Sequence, residues 1–231
     1  ALFERTFNMM SPTAKLVFLT LASWRSIIPT IGVEAIIKTK SEDYHDVEDA
    51  IEELHNFSFI EKIKIEKDNS EFLFLPLATY LFGQKKLNVS PFKPLISEYI
   101  KYLNFFGVGH AYNIDSGIKP RISLFFEQVS KQLSLGKKYK QVDEFNQILE
   151  YICHKYPNAW LLLSDLHERH GSIDQSINAC QKYLQYEVNN SQKMNVWRNI
   201  SLLARKANKH FYEAHALIEM CNIPKSPFEV L

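Results

Sequence analysis

Residues 157–190 narrow the possible fold more than any other stretch of the chain. Counted as a 34-residue helix–turn–helix unit with Asn158 at its second position, the segment puts Ala159-Trp160, Leu163 and the small Ser164 on the packing face of a first helix. Gly171 then falls at the inter-helix turn, and Ile177, Gln181-Lys182 and Leu184 fall on a second helix. Two helices of this length cannot bury their apolar faces alone, so the unit requires stacked neighbours. Stacks of this kind bind other proteins or relay their arrival, and they rarely perform chemistry. The expectation is a scaffold or sensor rather than an enzyme.

Flanking segments supply the neighbours. At a spacing of 37, Trp160, Leu163, Ser164 and Ile177 map onto Trp197, Ile200, Ser201 and Ala214. At a spacing of 35, Phe125, Gly136, Val142 and Leu149 lead to Trp160, Gly171, Ile177 and Leu184. These spacings exceed the 34 residues of a tetratricopeptide unit, so the outer pairs read as degenerate repeats, as terminal repeats often are. Helical pairs are expected at 121–135 with 139–156, 158–170 with 173–187, and 191–207 with 210–221. Leu163, Trp160 and Trp197 are expected in the core of the stack. First-helix residues Asp165, Glu168 and Arg198 are expected on its concave, partner-binding surface.

The first half of the chain has a different rhythm. Ser11-Pro12 is a helix N-cap followed by proline at the first helical position. Leu16, Leu19, Ala22 and Ser23 then recur at helical steps, and the helix is expected to stop near Pro29. A short helix over Val33–Thr39 and a third from near Asp43 to His55 follow, the latter with Val47, Ala50, Ile51 and Leu54 on one face. The period then changes to two: Phe59, Glu61, Ile63 and Ile65, the turn Asp68-Asn69-Ser70, and the return from Phe72 to Leu75 read as a β-hairpin. Three short helices and a hairpin is the winged-helix order. A helix from Leu77 passes Phe82-Gly83, and Ser90-Pro91 caps another that ends at Phe106-Gly107. The segment 108–119 is the most loop-like and is taken as the boundary between a winged-helix domain, 1–107, and a repeat domain, 108–231. The expected fold is therefore mainly α: a winged helix with its β-hairpin, followed by tetratricopeptide-like antiparallel helical repeats.

Composition excludes several classes. A formal net charge of +1 provides no global attraction to nucleic acid or anionic lipid. Apolar runs such as Leu16-Val17-Phe18-Leu19 and Ala159-Trp160-Leu161-Leu162-Leu163 fall well short of the ~20 residues that span a bilayer. No secretory signal opens the chain. Its start, Ala1-Leu2-Phe3, lacks an initiator methionine and suggests a piece of a longer polypeptide. Cys153, Cys180 and Cys221 are three widely spaced cysteines in helical patterns. They read as small buried residues in a reducing cytoplasm.

Candidate chemistry is sparse. The third helix, where a winged helix would read DNA, holds seven carboxylates between Glu42 and Glu53 and no Lys or Arg. A duplex carries one negative charge per ~1.7 Å of axis, and base readout there favours Arg, Lys, Asn and Gln. Wing residues Lys62, Lys64 and Lys67 are balanced by Glu61, Glu66 and Asp68. Packing on another protein domain is the better reading. His167-x-x-His170 with Cys153-His154 could meet a metal, yet no C-x-x-C or H-E-x-x-H spacing supports one. His167 instead occupies the repeat position usually held by tyrosine, facing its neighbour, with His170 toward solvent. Gly107-x-Gly109-His110 follows a helix rather than a strand and reads as a helix stop. Neither a P-loop nor a nucleophile elbow is present. No catalytic, cofactor or metal residue is assigned, and no cofactor is expected. The cluster Gly136-Lys137-Lys138-Tyr139-Lys140 lies at a turn, where solvated lysines are the rule; an anionic partner is the second reading.

The first half also resembles a known family. The stretch Met10-Ser11-Pro12-Thr13-Ala14-Lys15-Leu16-Val17-Phe18-Leu19 opens the likeness, and Val33-Glu34-Ala35-Ile36 continues it. Asp46 to Leu54, Ser58-Phe59-Ile60-Glu61, Phe74-Leu75-Pro76-Leu77-Ala78 and Phe82-Gly83-x-Lys85-Lys86-Leu87-x-Val89-Ser90-Pro91 complete it. Together they resemble the winged-helix domain of bacterial signal-transducing STAND-type (NB-ARC-like) ATPases, over roughly residues 9–125. The resemblance implies an ATPase domain upstream, a winged helix that clamps it in an ADP-bound resting state, and repeats that sense a protein or peptide trigger. It also implies oligomerisation of the activated parent and a role in antiviral defence against phage. Many relatives carry a Met-His-Asp motif near the end of the hairpin; Leu75-Pro76-Leu77 stands there, so no nucleotide-binding residue is carried over. The alternative is a DNA-binding transcription regulator with the repeats as its sensor.

Overall fold

Ser11 begins the fold as a cap: its Oγ accepts from the Ala14 N–H at 3.1 Å, and Pro12 follows at the first helical position. The structure, a computed structural model, describes residues 2–24, 27–40, 46–107, 114–135, 140–170 and 172–224. Helix α1 spans Leu2–Met9 and α2 spans Pro12–Ser23. Strand β1 is Ile28–Pro29, α3 is Thr30–Lys40 and α4 is Val47–Asn56. The hairpin follows as β2, Glu61–Ile65, and β3, Ser70–Phe74. The sheet order is β1-β3-β2, all antiparallel, with Ile28 opposite Leu73 and Glu61 opposite Phe74. Helices α2, α3 and α4 with this sheet form a winged helix.

Strand β1 has no signal in the sequence. Two residues cannot establish a period, and Pro29 lacks a donor, which is tolerated only because the strand lies at the sheet edge. Accordingly α2 stops at Ser23, short of the expected Pro29, and α3 begins three residues before Val33. The first part of the expected third helix, 41–45, lies outside the described residues.

An aromatic cluster holds the winged helix together. Phe18 of α2 lies 5.0 Å from Phe59 and 6.3 Å from Phe82 between ring centroids. Phe3 and Phe7, one turn apart on α1, close the cluster at 5.5 Å from Phe59 and 5.8 Å from Phe82. Phe82 comes from α5, Leu77–Asn88, which presses on α2 at Gly83. A Cβ there would sit 2.5 Å from the Ala22 Cβ, so the two helices close to this distance only over glycine.

Helix α6, Lys93–Leu103, starts later than Ser90-Pro91 suggested. Ser90 instead caps a turn, its Oγ accepting from the Phe92 N–H at 3.1 Å, and Pro94 takes the first-turn position that Pro91 was expected to hold. A 3₁₀ turn, Asn104–Phe106, ends at Gly107 with φ of +92°; Gly109 and His110 lie outside the described residues. A second 3₁₀ turn, Ile114–Ser116, leads into α7, Lys119–Leu135, and α8, Lys140–Lys155.

The chain divides into two compact units, 1–152 and 153–231. The boundary expected at 108–119 lies partly outside the described residues, and the division falls later because α7 and most of α8 pack on the winged helix. The Phe125 ring of α7 lies 4.4 Å from Phe106, tilted by 35°, and Phe145 of α8 lies 5.2 Å from Phe105. Arg121, 3% exposed, donates to the Phe106 carbonyl at 2.8 Å, the Gly107 carbonyl at 3.3 Å and the Ile27 carbonyl at 3.4 Å. The Tyr151 hydroxyl donates to the Glu34 carboxylate at 3.0 Å, and burial, then that carboxylate, pushes its pKa far above the ordinary tyrosine range.

The second unit carries two further helical pairs: α9, Ala159–Arg169, with α10, Ile173–Leu184, and α11, Asn190–Lys206, with α12, His210–Asn222. Trp160 and Leu163 are buried as expected. Small polar residues let α9 and α10 approach: the Ser176 Oγ donates to the Ser164 carbonyl at 2.8 Å, and the Ser164 Oγ lies 3.1 Å from the Cys180 Sγ. Trp197 is only half-buried, set edge-on to His215 at 5.5 Å. Cys153 and Cys180 are buried, whereas Cys221 is exposed. Both departures arise at the α11–α12 pair, where one side of α12 is uncovered among the described residues. No helix among the described residues is long and apolar enough to cross a membrane.

Candidate interaction surfaces

Helix α4 carries one face into the core and the other outward. Val47, Ala50, Ile51 and Leu54 are buried at helical spacing, which leaves the carboxylates on the opposite side. Glu42 and Asp43 lie outside the described residues. Of the rest, Glu53 is partly buried and binds the start of α2, accepting from the Ser11 N–H at 3.0 Å and the Ser11 hydroxyl at 2.7 Å. Glu48 pairs with Lys38 of α3, and Glu52 pairs with Lys62 of β2. The hydrogen bond from Lys62 is the main influence holding the Glu52 carboxyl below its usual pKa. Asp46 and Asp49 remain exposed on the outer face. Two of the cations nearest this helix are thus already engaged by its own acids.

The wing tip is engaged as well. In the turn between β2 and β3, the Asp68 carboxylate accepts from the Ser70 N–H at 3.1 Å and, through its other oxygen, from the Ile118 N–H at 2.8 Å. Burial opposes the charge, but these hydrogen bonds outweigh it and hold the Asp68 carboxyl below its ordinary pKa. Gly117, at φ of +74°, passes so close to this carboxylate that any Cβ would overlap it. The segment before α7 therefore latches the wing.

This latch makes a prediction. Gly117→Ala should cost about 1–3 kcal/mol, the range for a strained left-handed position, and should raise hydrogen exchange at the Ile118 amide; an unchanged amide would refute the latch. Because the folded Asp68 pKa is depressed, its contribution is complete above the ordinary aspartate range and is lost as pH falls through the lowered value. Asp68→Asn should remove that acid-side loss.

An apolar patch lies on the same module. Phe74 at the end of β3 and Leu77 and Leu81 one turn apart on α5 are 38%, 66% and 53% exposed. Periodicity places Phe74 in the hairpin and Leu77 at the start of the next helix, and the patch was not anticipated. Its signal was the apolar step from 77 to 81 on a helix whose buried positions, Thr79 and Gly83, are small.

On the repeats, the expected partner-binding residues Asp165 and Arg198 are exposed and Glu168 is half-buried. Asp165 pairs with Arg169 one turn along α9 at 2.5 Å. Glu168 reaches Lys206 of α11 at 2.5 Å, and Arg198 stands exposed on α11. Leu202, one turn beyond Arg198, is 49% exposed. Two of the three expected charges, Asp165 and Glu168, are thus already paired within the repeats. Lys206, Arg169 and Leu202 were not singled out in the sequence, although four-residue spacing from Asp165 and Arg198 points to two of them.

The remaining candidates resolve locally. The His154 ring meets Trp160 edge-on at 5.2 Å, with its Nδ1 3.4 Å from the Tyr186 hydroxyl. His170 closes α9, its N–H donating to the Leu166 carbonyl at 3.2 Å. Among the described residues no group of His, Cys, Asp and Glu is arranged to hold a metal. The basic run at 136–139 lies outside the described residues, as does the Gly171 turn. Comparison with protein-family models, with curated proteins and with solved structures returns no match to the chain.

Proposed function

We propose that the chain is the regulatory and sensing part of a STAND-type NTPase that acts in the cytoplasm in defence against phage. The winged helix packs on an ATPase domain of the same polypeptide, and the repeats capture a protein or peptide trigger. No catalysis is assigned to the chain itself. The observation that supports this reading best is the state of the DNA-reading elements. Helix α4 presents Asp46 and Asp49, its neighbouring lysines are taken by Glu48 and Glu52, and the wing tip is held by Ile118. The exposed Phe74, Leu77 and Leu81 offer the apolar contact that a protein partner needs.

The switch works by differential contact. A winged helix that touches the ATPase only in the closed state favours that state, and a trigger on the repeats acts by binding the open state more tightly. Moving such an equilibrium from 1:99 to 99:1 requires about 5.5 kcal/mol of preference. Asp165, Glu168, Arg198 and Leu202 are the residues from which the trigger would draw it.

Titration of the 231-residue chain against random-sequence duplex at low salt tests the reading. Fluorescence anisotropy should stay flat. Tight binding that weakens steeply with added salt would overturn the proposal in favour of a DNA-binding regulator.

A further inference from the structure

Helix α12 presents an apolar stripe that none of the described residues of the second unit covers. The internal repeat shows what such a face requires. At the spacing of 37, Ile177, Cys180 and Leu184 of α10 correspond to Ala214, Leu217 and Cys221 of α12. On α10 the first two of these are 2% and 0% exposed, and α11 reaches across to them, the Asn199 amide lying 3.7 Å from the Cys180 Sγ. On α12 only Ala216 is buried, while Phe211, Leu217 and Ile218 are 79%, 44% and 58% exposed. A helix face that meets solvent ordinarily carries polar side chains. This one does not.

The stripe is self-complementary. Phe211, Ala214, Ile218 and Cys221 recur at steps of three, four and three, the spacing of a coiled-coil seam. Two copies of α12 laid antiparallel about the middle of the helix bring Phe211 against Cys221 of the second copy and Ile218 against Ala214 of the second copy. Large then meets small at every position, the arrangement that fills a seam without voids. A parallel pairing would set Phe211 on Phe211 and leave Ala214 facing Ala214. The flanking acids do not oppose this. Glu213 is held by Arg205 at 2.7 Å, and Glu219 lies 3.8 Å from His215.

We propose that a second copy of this chain docks on α12, the two helices pairing antiparallel around a two-fold axis. Each α12 then does for the other what α11 does for α10. The inference stands on the repeat itself and is independent of the NTPase reading. A seam of 13 residues is about 20 Å long. A single helix pair of this length is a small contact beside a standard interface, so the pair exchanges rapidly and accumulates at high protein concentration.

Sedimentation equilibrium of the intact chain, from low to high micromolar, should show a mass rising toward twice the monomer. Phe211→Glu with Ile218→Glu should hold the chain monomeric with an unchanged helical circular dichroism spectrum, since both side chains are exposed. Phe211→Cys, with Cys221 retained, should form an interchain disulfide under mild oxidation, reversed by reductant. The native chain, whose Cys221 residues stand at opposite ends of the seam, should form little. A monomer at every concentration, or association undiminished in the double variant, would overturn the proposal. So would native Cys221 cross-linking as readily as the Phe211→Cys chain, which would indicate parallel pairing.

Discussion

Arg121→Ala is expected to lower the stability of the first unit by about 3–5 kcal/mol, as large as the loss of one member of a buried ion pair. The guanidinium is almost wholly buried and donates to three carbonyls from two separate segments, Phe106-Gly107 and Ile27. Each hydrogen bond to a charged group contributes about 1.5–3 kcal/mol, and the stranded carbonyls add their own desolvation cost. Arg121→Lys should recover only a small part, because one ammonium cannot span acceptors that lie on both sides of a planar fork. Trp24 is the only tryptophan of the first unit, so denaturant unfolding followed through its fluorescence in a Trp160→Phe, Trp197→Phe background reads that unit separately. A loss below ~1 kcal/mol would mean that Arg121 merely fills space and that the aromatic contacts of Phe125 and Phe145 hold α7 and α8 by themselves.

Trp160→Ala should destabilise the second unit by about 3–5 kcal/mol, the range for truncating a fully buried aromatic. The ring is 1% exposed, lies under the Lys182 ammonium at 4.5 Å and meets the His154 edge at 5.2 Å. Trp160→Phe separates volume from polarity. Its smaller ring leaves a cavity, but it also removes an indole N–H that is buried with no hydrogen-bond partner among the described residues. The two effects oppose, and the net loss should stay below about 2 kcal/mol. Chemical denaturation followed by far-ultraviolet circular dichroism measures both variants. Equal losses in the two would show that the stack depends on the indole's own contact with His154 rather than on filled volume.

Much of this architecture was legible in the residues. The apolar steps of α2, α4, α9 and α10, the change to a two-residue period in the hairpin, and Trp160 and Leu163 as core all follow from periodicity. Periodicity is a property of one element against an apolar interior, whatever that interior is. Strand β1 was not legible, because two residues ending in proline become a strand only when β3 is there to pair with them. The division after Ile152 was not legible either. It depends on Arg121 finding carbonyls about fifteen and ninety residues earlier in the chain, and on Glu34 receiving the Tyr151 hydroxyl.

For the candidate surfaces the balance shifts further toward the tertiary structure. Sequence alone determined that α4 is acidic, that a winged helix is followed by antiparallel helical pairs, and that Asp165, Glu168 and Arg198 lie on first helices of those pairs. Which charges remain available was decided only by folding, since Lys38, Lys62 and Lys206 come from other elements and an ion pair is a matter of distance. The exposure of Phe211, Ile218 and Cys221 was decided in the same way. Their spacing matches that of buried helices elsewhere in the stack, and the lack of a covering neighbour among the described residues makes a core pattern a surface.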